Sequence, residues 1–73
     1  MALELELAGR RYWILSEPHG KVRKARVFER RENGESDELG VDATAETGSA
    51  ADRAAERKLR RLLQERAVRK AVD

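Results

Sequence analysis

The chain has 73 residues, which allows one small domain spanning 1–73 with a single thin core. Charged residues make up 41% and hydrophobic ones 40%, and cysteine is absent, so disulfides, thiolate chemistry and Cys-containing zinc sites are excluded. No stretch reaches the ~20 apolar residues that span a bilayer, and Glu4 and Glu6 interrupt the first apolar run, so a membrane role and a signal peptide are not expected and a cytoplasmic setting is.

Charge falls in blocks that the net value of +2 hides. Residues 1–31 hold eight Lys/Arg against four Glu, residues 32–52 hold seven acids and no Lys or Arg, and residues 53–73 hold eight cations against three acids. Two basic segments therefore flank an acidic one, which either neutralises its neighbours within the fold or offers an acidic surface to a partner.

Leu3, Leu5 and Leu7 alternate with Glu4 and Glu6, the period of a strand with one buried face. Gly9-Arg10 is read as a two-residue loop, which sets Leu7 opposite Tyr12 and Leu5 opposite Ile14 in a second strand at Tyr12–Leu15. Glu17-Pro18-His19-Gly20 fits a β-turn with proline second and glycine fourth. A third strand follows over Lys21–Arg31, with Val22 and Phe28 on one parity and Ala25 and Val27 on the other, so its register against the second strand stays open.

Asn33-Gly34 signals a tight hairpin, which in type I′ form places Arg30 opposite Asp37, Phe28 opposite Leu39 and Arg26 opposite Val41. A fourth strand near 38–44 follows from that register; the competing reading is a mobile acidic loop over 32–48. From Ser49 the period becomes helical. Ser49 and Asp52 resemble a capping box, Asp52 suits the positive end of the helix dipole, and Ala51, Ala55, Leu59 and Leu62 form an apolar stripe bordered by Leu63. The expected fold is α+β: a three- or four-stranded antiparallel meander over about 2–45, packed on one C-terminal helix over about 50–70.

Two surfaces carry the functional expectations. Arg53, Arg57, Arg60 and Arg61 fall on the helix side opposite the leucines, and with Lys24 and Arg26 of the third strand they are candidate contacts for nucleic acid or an acidic partner. Trp13 and Leu15 fall on the sheet face away from the leucines, joined, depending on the register of the third strand, by some of Lys24, Arg26 and Phe28. Trp13, Leu15 and Phe28 are candidates for a subunit interface or a stacking platform for bases. Catalysis has little to stand on: His19 is the one histidine, the five glycines are scattered, and no metal-ligand, calcium-loop or phosphate-loop spacing occurs, so no cofactor is expected. The preferred reading is a non-enzymatic accessory protein acting by self-association or contact with another protein, and the alternative is a nucleic-acid-binding module.

Overall fold

The computed structural model describes residues 2–72, with side chains through Val68. Four strands, β1 (Ala2–Leu7), β2 (Arg10–His19), β3 (Val22–Arg30) and β4 (Ser36–Ala45), are followed by one helix, α1 (Gly48–Val72). The strands form a single antiparallel sheet in the order β1-β2-β3-β4. This is the α+β meander with a C-terminal helix, and the acidic segment supplies its fourth strand rather than a loop.

The helix lies on one sheet face, mainly across β4, β3 and β2. Tyr12 and Ile14 from β2, Ala25 and Val27 from β3, Ala43 from β4, and Ala51, Ala55 and Leu59 from α1 make the buried core. Ala51 and Ala55 carry only a methyl group, which lets the first half of α1 sit close to the strands, and Leu59 is the largest fully buried side chain that the described helix adds to the core. Leu63 packs on this core, whereas Leu62, expected in the stripe, is half-buried to its side. Leu5 and Leu7 of β1 reach the core edge, while Leu3 remains 37% exposed beyond the helix.

The turns correct three sequence expectations. The first loop is Ala8-Gly9, with φ of +53° and +76°, so Leu7 pairs with Arg10, Leu5 with Tyr12 and Leu3 with Ile14. The slip from the expected register is two residues, which keeps every leucine on its predicted face. The second turn is not centred on Pro18: β2 continues to His19, which pairs with Val22, and the chain reverses at Gly20-Lys21. Proline is tolerated there because β1 pairs with β2 no further than Leu15. Beyond it β2 is an edge, and the side of Pro18 that lacks an N–H faces no strand.

At the third hairpin, Gly34 N–H donates to Arg31 O at 3.0 Å and Arg31 N–H to Glu35 O at 2.8 Å. Only Gly34 has positive φ, at +90°, so a type I turn with a glycine bulge forms instead of the type I′ turn. The loop is one residue longer than expected, and a one-residue slip flips a strand. Arg30 consequently faces Ser36 and Phe28 faces Glu38, while Arg26, beyond a further irregularity in the pairing, faces Asp42. Leu39 and Val41 turn to the helix side, where burying them against the core outweighs pairing them with Phe28 and Arg26. Farther along, the three residues 39–41 oppose the single Val27, and Gly40, at φ +72°, sits in that bulge. Two extra residues preserve parity, so Leu39 and Val41 both stay on the helix side.

The helix also starts earlier than Ser49 suggests. Thr47 is the cap: its Oγ1 accepts from Ala50 N–H at 3.1 Å and its carbonyl accepts from Ala51 N–H at 3.0 Å. Asp52 is half-buried, with Oδ1 shut from water and without a hydrogen-bond donor among the described residues. Burial pushes its carboxyl above the ordinary range, against the opposing pull of Arg23. The folded state therefore holds the Asp52 proton more tightly than the unfolded chain, and stability is lost as pH rises through the carboxylate range. Asp52→Asn is expected to raise the melting temperature at pH 7 and to lose that gain at about pH 3, where the carboxyl is protonated in the folded and unfolded chain alike. Thermal melts at the two pH values check this; equal melting temperatures at pH 7 would contradict it.

Candidate functional site

Alternation along β2 and β3 puts Trp13, Leu15 and Phe28 on the face opposite the helix. There they form rows that the register defines. At the hairpin-tip end stand Glu6, Arg11, Arg30 and Ser36. The next row is Glu4, Trp13, Phe28 and Glu38, then Ala2, Leu15, Arg26 and Asp42, then Glu17, Lys24 and Thr44. Trp13 and Phe28 are direct cross-strand partners and both half-buried, and Leu15 is 40% exposed. No element of the described chain covers this strip.

Trp13 is held in place. The Arg30 guanidinium lies 5.5 Å from its ring centre, within cation–π range, and its Nε1 is buried with no acceptor among the described residues. Arg26 binds Glu17 at 3.2 Å and Lys24 lies 3.7 Å from Asp42, so these two candidate cations are spent on neighbours in the same sheet. The face carries Arg11, Lys24, Arg26 and Arg30 against Glu4, Glu6, Glu17, Glu38 and Asp42, close to electrical balance.

Arg53, Arg57, Arg60 and Arg61 are all exposed, and they belong to the helix, on the other side of the sheet from Lys24 and Arg26. The two groups therefore form no common surface. Arg60 Nε donates to Glu56 at 3.1 Å. Arg53, Arg57 and Arg61, spaced four residues apart along one helix line, have no ion pair among the described residues. Among the described residues no acid of the acidic segment pairs with them: Asp37 and Glu35 pair with Arg31, Asp42 with Lys24, and the Asp42 carbonyl accepts from Lys58 Nζ of the helix at 2.8 Å.

A third feature was missed in the sequence. The tips of the first and third hairpins lie side by side and enclose an open cleft of about 910 Å³, lined by Arg10, Arg11, Arg30, Arg31, Asn33 and Gly34 among others. Arg10 binds Glu29 at 2.6 Å and Arg31 binds Asp37, whereas Arg11 and Arg30 make no ion pair among the described residues. The two Arg-Arg pairs at 10–11 and 30–31 were the available signal, but only the β2–β3 register shows that they meet.

The polar side chains at the end of β2 do not converge. Ser16 is buried on the helix face, Glu17 points to the opposite face in a pair with Arg26, and His19 is exposed at the strand end. Tyr12, at the core edge, has its hydroxyl pushed up by burial and by nearby Glu29. Among the described residues no group of three His, Asp or Glu could hold a metal ion, and no helix is long and apolar enough to cross a membrane.

No protein-family model, curated protein or solved structure matches the chain. Its own surfaces must carry the functional reading.

Proposed function

We propose that this chain is a non-enzymatic interaction protein that associates with a second copy of itself through the uncovered face of its sheet. The observation that carries the reading is the strip of Trp13, Phe28 and Leu15, in register on a face that no element among the described residues covers. An apolar centre inside a polar rim is the make-up of a protein interface.

Two features favour a second copy as the occupant. The core is thin: Ala25, Ala43, Ala51 and Ala55 are four of its eight buried residues, and association is a common means of stabilising so small a domain. The face is also close to electrical balance, so it does not repel its own copy, unlike the arginine-rich back of the helix. Sedimentation equilibrium of the purified chain tests the proposal: a mass twice the monomer's 8.3 kDa supports it, and 8.3 kDa at every concentration sinks it.

A second reading, binding of duplex nucleic acid, is favoured by one observation, the line of arginines at 53, 57 and 61 that make no ion pair among the described residues. Four residues of helix advance about 6 Å, so these guanidinium groups form a ladder facing away from the sheet. Three phosphate contacts give a slope of about −2.7 in a plot of log affinity against log salt. Replacing all three arginines by alanine should flatten that slope. Absence of duplex binding at low salt, or a slope unchanged in the triple variant, would remove this reading.

A further inference from the structure

We infer that Arg11 and Arg30 form a binding site for a phosphate monoester at the hairpin-tip end of the sheet. The two residues are directly opposed partners on neighbouring strands and point to the same face. Like charges in that position destabilise a sheet, since opposed Cβ atoms are only ~5 Å apart. Neither guanidinium has a carboxylate within 4.0 Å among the described residues, and Glu6, the register partner of Arg11 on its other side, lies beyond that distance. Their neighbours Arg10 and Arg31 are neutralised by Glu29 and Asp37 and do not compete for an anion.

Two acids also line the cleft: Glu29 is paired with Arg10, and Glu32 makes no ion pair among the described residues, so four guanidinium groups stand against two carboxylates. Asn33 uses its Oδ1 to accept from Glu35 N–H at 3.0 Å, which leaves its amide NH₂ as the free end beside the cleft. Arg30 is steadied on the Trp13 ring, which limits the freedom lost when it binds. Charge selects the ligand. A phosphate monoester carries about −1.5 to −2 at neutral pH and matches two guanidinium forks, whereas one carboxylate would leave a positive charge unanswered.

This inference does not depend on self-association, and the test separates the two. Trp13 is the one tryptophan in the chain and reports directly on Arg30. Its fluorescence is titrated with inorganic phosphate at constant ionic strength, with chloride as the reference, in the full chain and in a Leu15→Glu variant that disables the apolar strip. A saturable change in both, with a melting temperature that climbs with phosphate, is the expected result.

Arg11→Gln leaves the Arg30–Trp13 contact in place. It is expected to weaken phosphate at least tenfold while raising the melting temperature in phosphate-free buffer, because the repulsion is gone. A residue with a purely structural role would lower that temperature. Adenosine monophosphate and adenosine, run in parallel, distinguish the source: tighter binding of the monophosphate than of inorganic phosphate assigns the site to nucleotides, and equal binding assigns it to the free ion. The inference is overturned if chloride produces the same change, if Arg11→Gln responds like the parent chain, or if that variant is the less stable protein without phosphate.

Discussion

Leu59→Ala is expected to lower the unfolding free energy by about 3 kcal/mol, within the ~2–5 kcal/mol range of buried leucine truncations. Leu59 is fully buried and, among the described residues, is the one large helix side chain fully inside the core. Its helix neighbours there, Ala51 and Ala55, are too small to close the gap, so the void persists. A domain of this size has a total stability of only ~4–11 kcal/mol, and the variant loses a large part of it. Leu62→Ala is the matched control: Leu62 is half-buried and lies beside the core, so its loss should cost under ~1 kcal/mol. Urea unfolding of the two variants measures the difference. Equal costs would mean that the helix is rotated about its axis from the orientation described.

Leu15→Glu is expected to weaken self-association at least a hundredfold while leaving the fold within ~0.5 kcal/mol of the parent. The two effects separate because Leu15 faces away from the helix and is 40% exposed, so the core does not feel the change. Within one chain the new carboxylate stands opposite Arg26, a cation, and is not stranded. Between two chains it is buried in the apolar strip with no certain partner, a position that costs several kcal/mol. Sedimentation gives the mass and circular dichroism the fold. A variant that stays dimeric, or that unfolds, contradicts this assignment of Leu15.

The fold was largely legible because each element carries its own period. Leu3, Leu5 and Leu7 alternate, while Ala51, Ala55 and Leu59 recur every four residues, and both patterns survive unchanged in three dimensions. Register was less legible, since it depends on turn geometry. Ala8-Gly9 replaced Gly9-Arg10 without consequence because an even slip keeps each side chain on its face. At Asn33-Gly34 the slip was odd, and it exchanged the predicted Phe28–Leu39 pair for Phe28–Glu38.

A signal for the correct register was present in the fourth strand. Leu39, Val41, Ala43 and Ala45 share one parity and had to meet the helix together, which favours Ala25 and Val27 as their neighbours over Phe28. The outward positions of Trp13 and Leu15 could be read from alternation alone. The opposition of Arg11 and Arg30 could not, because the third strand has mixed faces and no sequence feature fixed its partner.

Quenching of Trp13 fluorescence by acrylamide along a dilution series observes the disputed face itself. If the uncovered strip is where two copies meet, the indole is sheltered in concentrated solution and becomes accessible on dilution, with a midpoint that shifts to higher concentration in Leu15→Glu. If quenching is the same at every concentration, the strip is solvated in a lone chain and the proposed association through it is wrong.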